Sequence, residues 1–374
     1  MSPKTSISEN NIHISFLDNI KIIRNNKTYL FERSDKLEGF SPENRRYLGN
    51  KNKLLGFIED IVREHCGDMK SFCDIFAGTG VVGLKFNNGK VKVISNDILN
   101  SNFIPLKAFL DTTNVDFVKI KHIIAKLNSI KPTKANYFSK NYGGTYFTVA
   151  NAKKIGAIRE EIENQKLTDT EKNIILTSLI YATDKVANTV GHYDAYRKDI
   201  DQVQEVKLLL PKINTLNNGK NETYCEDANS LIRKIKCDVL YLDPPYNSRQ
   251  YSDAYHLLEN LVNWQKPKVF GVAKKMNRDN LKSKYCLKDA TEAFEDLINN
   301  AKTKHILVSY NNTGGTKNSR SNARISDNEM IRILKNKGEL IIYEMSYRTF
   351  TTGKTKDQNN TERVFYCKVK NASL

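Results

Sequence analysis

Apolar residues recur along this chain with two periods, and their alternation predicts strands separated by helices. From Gly49 to His65, Leu54, Leu55, Ile58, Ile61 and Val62 fall on one helical face. Ser71 to Phe76 reads as a first strand, followed by Ala77-Gly78-Thr79-Gly80 and a short helix. Val91 to Ile94 gives a second strand that ends at Asn96-Asp97. The rhythm then breaks between 111 and 222, where helices are predicted near 116–128 and 170–188 around a Tyr/Gly-rich stretch at 142–149. It resumes with a strand at 238–242, helices at 253–263 and 289–300, a strand at 305–309, a helix at 325–335, and strands at 339–345 and 363–369. Such an order predicts an α/β fold, with a mostly parallel sheet that closes on a C-terminal antiparallel hairpin. Four parts follow: a polar, irregular arm at 1–43, a first α/β part at 44–110, a mainly helical insertion at 111–222, and a second α/β part at 223–374.

Charge narrows the partners. The 374 residues carry 59 Lys and Arg against 42 Asp and Glu, a net charge of +17. That excess points to a polyanion, with nucleic acid ahead of a membrane surface, although a lysine-rich background composition gives the same balance. Six cysteines, at 66, 73, 225, 237, 286 and 367, show no Cys-x-x-Cys spacing. They read as reduced core residues, and neither a disulfide framework nor a zinc site is expected. No stretch approaches the ~20 apolar residues of a membrane helix and no apolar leader opens the chain, so the expectation is a soluble cytoplasmic protein.

Candidate chemistry gathers at two strand ends. Val239-Leu240-Tyr241-Leu242 reads as a strand buried on both faces, and Asp243-Pro244-Pro245-Tyr246 stops it abruptly. A carboxylate, a rigid carbonyl-bearing turn and an aromatic ring therefore meet at the carboxyl edge of the sheet, where α/β proteins bind ligands. A plain strand-ending turn with a buried tyrosine is the competing reading. The first strand runs into Gly78 and Gly80, whose missing Cβ atoms allow a tight turn and close approach of a ligand. Asp97 ends the second strand 17 residues after Gly80, a placement that suits a carboxylate bonded to ribose hydroxyls. Gly83 completes a Gly-x-Gly-x-x-Gly spacing, so this segment alone leaves a dinucleotide such as NAD open.

Three motifs in order settle the matter further: Tyr47-Leu48-Gly49-Asn50-Lys51, Phe76-Ala77-Gly78-Thr79-Gly80 and Asp243-Pro244-Pro245-Tyr246. Together they resemble the D12-type DNA adenine-N6 methyltransferases, over about 43–110 and 222–310. The resemblance implies a Rossmann-like methyltransferase sheet, S-adenosylmethionine as cofactor and no metal. It makes 44–110 the cofactor-binding part, 111–222 the candidate target-recognition region and 223–374 the catalytic part. It also implies that Tyr47 and Lys51 pack beside the cofactor's methionine end. Phe76, Gly78 and Gly80 would wall that portion, with Asp74 near its amino group. Asp97 would hold the ribose, and Asp227 would lie at the adenine; a helix N-cap for 228–235 is the equal alternative for Asp227. Asp243 and the Pro244 carbonyl would accept hydrogen bonds from the target amine, with Asp243 also touching the cofactor. Pro245 would stiffen that turn, and Tyr246 would stack on the extruded base. Asp at 243, where cytosine-N4 enzymes carry Ser, favours adenine N6.

Double-stranded DNA is the expected partner, and a cognate restriction endonuclease acting separately is compatible with it. Between Trp264 and Ala290 the chain has eight Lys and Arg against two Asp, interleaved with Trp264, Phe270 and Tyr285. Lys274, Lys275 and Arg278 there, with Arg249 after the catalytic motif and Tyr193 and Arg197 at the close of the insertion's long helix, are the candidate DNA contacts. The polar runs at 316–324 and 351–356 are further candidates. An RNA adenine-N6 methyltransferase and a non-catalytic nucleic-acid-binding module with a relic pocket are the alternatives.

Overall fold

The computed structural model describes residues 20–24, 27–31, 39–201, 204–310, 324–346 and 361–370. The candidate runs at 316–323 and 351–356 lie outside the described residues. Seven strands make one sheet: β1 (Ser71–Asp74), β2 (Lys92–Asn96), β3 (Glu222–Tyr224), β4 (Cys237–Leu242), β5 (Thr303–Ser309), β6 (Gly338–Ser346) and β7 (Thr361–Val369). Their spatial order is β6-β7-β5-β4-β1-β2-β3. β1 pairs in parallel with β2 and β4, β2 with β3, and β4 with β5. β7 runs antiparallel to both β5 and β6. The expected mostly parallel sheet with an antiparallel C-terminal pair is therefore the observed one. β3 is an addition, because three half-buried residues carry too little pattern to be read as a strand.

β4 is buried along its whole length, as its unbroken apolar run predicts. Alternate residues feed two cores. Cys73, Leu240, Leu242, Ile306 and Val308 pack with α11 (Ala290–Asn300) and α12 (Asp327–Lys337) on one face. Phe72, Val239, Tyr241 and Leu307 pack with α1 (Leu55–His65) and α2 (Val81–Phe86) on the other.

The stretch from 111 to 222 forms α4 (Phe117–Asn128), α5 (Tyr137–Tyr142), α6 (Val149–Asn164) and α7 (Asp169–Lys185). α5 and α6 were not anticipated. α6 buries Lys154 and Arg159 among its apolar positions, which blurs its amphipathic stripe. Arg159 donates to the carbonyls of Leu261 and Val262, closing the end of α10 (His256–Asn263). These helices share a core with α10 and with α3 (Asn100–Leu106), and residues Phe40–Leu374 form one compact unit.

The other unit, Met1–Gly39, contains an antiparallel pair, Ile20–Arg24 with Lys27–Phe31, where an irregular arm was expected. Among the described residues no helix is long and apolar enough to cross a membrane.

Candidate active site

Strand order reverses between β1 and β4, so the loops at their carboxyl ends splay apart and leave a crevice. A cleft with about 920 Å³ of empty space, counted to its open mouth, occupies that position. Its walls include Tyr47, Lys51, Asp74, Phe76, Gly78, Asp97, Asp227 and Asp243. Residues named from three separate motifs thus converge on one cavity of ligand size.

The glycine turn forms its floor. Gly78 and Gly80 hold φ of 54° and 80°, in the left-handed region that penalises other residues. A Cβ on Gly78 would sit 3.0 Å from the Tyr47 ring, and one on Gly80 would sit 2.5 Å from Leu106. Gly78 therefore serves the cleft, whereas Gly80 makes room for α3. Gly83 lies against Val93 and Ser95 of β2, so its need is close helix–strand packing.

Asp97 reaches back across this turn. One carboxylate oxygen accepts from the Gly78 N–H at 3.0 Å and the other from the Leu99 N–H at 2.9 Å. Burial raises its pKa to about 6, against the pull of those donors. Asp74 at the end of β1 is 1% exposed, and its Oδ1 has no hydrogen-bond partner among the described residues. Burial, followed by the nearby Asp243 charge, pushes its carboxyl up to about 8, while the Gly83 N–H works the other way. A buried acceptor with an unused oxygen in a cleft wall fits a cationic donor such as a ligand ammonium.

Tyr47 stacks on Tyr255, with ring centroids 4.6 Å apart at 12°, and its hydroxyl accepts from Asn102 at 2.9 Å. Tyr255 accepts from the Leu48 N–H and Tyr251 donates to the Leu48 carbonyl, which clasps the Tyr47–Lys51 segment against the helices after the Asp243–Tyr246 turn. Behind Tyr47, the buried Arg45 pairs with Asp184 at 3.1 Å and lies 5.4 Å from the Tyr47 ring centre. Those aromatic partners carry no motif of their own, and only their helical spacing hinted at them.

Lys51 and Asp243 meet at 2.6 Å, a direct ion pair joining the first and third motifs. Burial alone would lower the lysine pKa, but the carboxylate more than reverses this and holds the ammonium charged. Burial raises the Asp243 carboxyl, and Lys51 pulls it back. Glu362 on β7 feels both charges and is likewise raised by burial; nothing in its sequence surroundings marked it. Pro244 is buried, Pro245 lines the cleft, and the half-buried Tyr246 stands edge-on to Tyr310 at 5.9 Å. Asp227 has both features weighed for it: it caps α8 (Ala228–Leu231) through the Ser230 N–H and also lines the cleft.

The candidate DNA contacts divide. Lys274 and Arg197 are exposed. Lys275 pairs with Asp194 at 2.8 Å, Arg278 pairs with Asp253, and the exposed Arg249 lies 3.9 Å from Asp194. Tyr193 needs correction: it is 1% exposed and donates to Asp184, so it is a packing residue and out of reach of a bound strand. Tyr285, counted with the basic loop, is instead buried in the cleft wall against Phe76.

Comparison with known proteins agrees with this geometry. Residues 47–313 match the family model described as D12 class N6 adenine-specific DNA methyltransferase. The chain is 36% identical over 344 residues to Modification methylase StsI of Streptococcus sanguinis, across 86% of this chain and 51% of that protein. Type II methyltransferase M.FokI of Planomicrobium okeanokoites is 34% identical, across 86% and 52%. Type II methyltransferase M.NlaIII of Neisseria lactamica is 32% identical, across 84% and 95%. The chain spans about half the length of the first two and nearly all of the third. With its three motifs gathered at one cleft, this chain belongs to the D12 class of N6 adenine-specific DNA methyltransferases.

Proposed function

We propose that the chain transfers the methyl group of S-adenosylmethionine to N6 of an adenine turned out of duplex DNA, as the site-specific modification enzyme of a restriction–modification pair. The observation that carries this reading is the Lys51–Asp243 pair in the wall of the cleft. An exocyclic adenine nitrogen is a poor nucleophile because its lone pair is delocalised into the ring. An acceptor aimed at one of its hydrogens favours a pyramidal nitrogen and frees the lone pair for in-line attack. Asp243 is the stronger acceptor while ionised, and Lys51 opposes the burial that would protonate it. Lys51 also fixes one carboxylate oxygen, leaving the other directed by the pair rather than by solvent.

Bound S-adenosylmethionine would supply an electrophilic sulfonium methyl. Asp74 would hold its ammonium with the unpartnered oxygen, Asp97 its ribose hydroxyls, and Asp227 its adenine. Phe76, Gly78 and Tyr47 would wall the methionine portion. Tyr246 gives the extruded base a stacking face, and the Pro244 carbonyl a second acceptor. In this arrangement 44–110 builds the cofactor side, 223–374 the catalytic side, and 111–222 the recognition region. The test incubates the protein with methyl-labelled S-adenosylmethionine and separate DNA and RNA pools, then identifies the labelled nucleoside. N6-methyladenine from DNA is expected. Label in RNA alone, or in cytosine, would overturn the assignment.

A further inference from the structure

The segment between α10 and α11 contains a hairpin whose tip is apolar and exposed. Phe270 and Lys275 exchange backbone hydrogen bonds at 2.8 and 3.0 Å, closing a turn through Gly271, Val272, Ala273 and Lys274. Phe270 is 56% exposed and Val272 80% exposed. An isolated apolar side chain on a surface needs no explanation, but two on a rigidly held tip do. The anchoring is extensive. The buried Tyr146 hydroxyl is shared between the Tyr193 carbonyl at 2.7 Å and the Ala273 carbonyl at 3.1 Å, and Tyr137 donates to the Pro267 carbonyl at 2.6 Å. Lys275 pairs with Asp194 and reaches Asp253 at 3.6 Å, and Arg278 pairs with Asp253.

These anchors also tie the base of the hairpin to the segment that follows Asp243–Tyr246. Asp253 belongs to α9 (Tyr251–Ala254), whose Tyr251 and Ser252 line the cleft. Arg249, three residues after Tyr246, approaches the same Asp194 that holds Lys275. The tip carries cations as well: Lys268 lies 5.5 Å from the Phe270 ring centre, and both Lys268 and Lys274 are exposed.

We propose that this tip is a wedge for duplex DNA, entering the stack as the target adenine leaves it. Phe270 stacks at the disrupted step, Val272 fills beside it, and Lys268 and Lys274 meet the flanking phosphates. The inference rests on the methyltransferase reading above and adds to it the element that opens the duplex. Extruding a base costs a few kcal/mol, and apolar side chains inserted between base steps are one way proteins offset such a cost. Charge complementarity selects nucleic acid over a protein partner for a tip flanked by lysines on a chain of net charge +17.

The test compares single-turnover methylation by unaltered protein, Phe270→Ala and Phe270→Trp. Substrates are duplexes carrying the site mapped with the unaltered protein, either fully paired or with an abasic position opposite the target. Phe270→Ala should slow methylation of the paired duplex by roughly 5- to 150-fold, the span of one lost base–aromatic stack. The abasic duplex, already weakened, should largely restore the rate, and Phe270→Trp should retain it on both. An exposed residue should leave the melting temperature unchanged. Normal methylation of paired DNA by Phe270→Ala, or an equal loss on both duplexes, overturns the wedge while leaving the methyltransferase reading in place. Failure of the unaltered protein to methylate adenine in any DNA overturns that reading, and the wedge with it.

Discussion

Asp74 offers a quantitative check on the cofactor site. With a carboxyl pushed up to about 8, it is protonated in about 0.9 of molecules at pH 7 when the cleft holds no cation. A ligand ammonium at its unpartnered oxygen favours the ionised form, so binding should expel that proton. This carboxyl should release about 0.9 proton at pH 7; toward pH 9 its share falls to about 0.1, while the ligand α-amino group, whose ordinary pKa is about 8, takes up a proton to bind as an ammonium. Asp97, raised to about 6, adds only about 0.1 proton at pH 7. Calorimetric titration of S-adenosylmethionine in buffers of different ionisation enthalpy measures the number directly. Asp74→Asn should remove most of the release and weaken binding. The same variant should melt at a higher temperature than the unaltered protein above pH 8. An acid whose folded pKa is raised contributes stability that is fully present below its unfolded value of 3.8 and is lost progressively as pH rises to the folded value of about 8. Zero proton release in the unaltered protein, or full release retained in Asp74→Asn, would refute this account of the cleft.

Further outcomes follow from the same geometry. Lys51→Met removes the charge that opposes burial at Asp243, so the acid limb of the rate profile should move to higher pH; an unmoved limb would dismiss the pair's role. Gly80→Ala forces a Cβ within 2.5 Å of Leu106 in a left-handed turn and should cost about 1–3 kcal/mol in denaturant titration. Gly78→Val should block cofactor binding, because its Cβ meets the Tyr47 ring at the cleft, and the left-handed backbone adds a stability cost of its own. Lys274→Ala should flatten the slope of log affinity against log salt by about 0.9 if it meets a phosphate. Lys275→Ala should change that slope less, since Asp194 and Asp253 already engage it.

Local pattern made much of this fold legible, and tertiary contact decided the rest. The apolar run before Asp243 and the glycine turn after Phe76 identify β4, β1 and the crevice between them, because strand ends and turn chemistry are short-range properties. The convergence of Lys51 on Asp243 was not legible. It joins motifs far apart in sequence, and each motif reads the same without the other. Tyr193 and Tyr285 misled for a related reason: an aromatic among polar and basic neighbours looks like a contact residue, yet Asp184 satisfies one hydroxyl and Asn229 the other within the core. Glu362 stands on the strand antiparallel to its neighbours, which brings its amino end to the crevice edge of the sheet. An acid at the start of a C-terminal strand gives no local sign of that.

The central claim is that Asp243, held by Lys51, presents its carboxylate to the target amine. Single-turnover methylation by Asp243→Asn, at saturating S-adenosylmethionine and DNA, tests it most directly. Asparagine keeps the shape and an amide oxygen that still accepts, but surrenders the charge and the paired lysine; the account puts the catalytic weight on that charge, so a loss of about 10²–10³ in rate, the scale of one disabled preorganised group, is expected. The expected result is a loss of that size with S-adenosylmethionine affinity largely retained. A near-normal rate, or a rate restored merely by raising the cofactor concentration, would contradict the account.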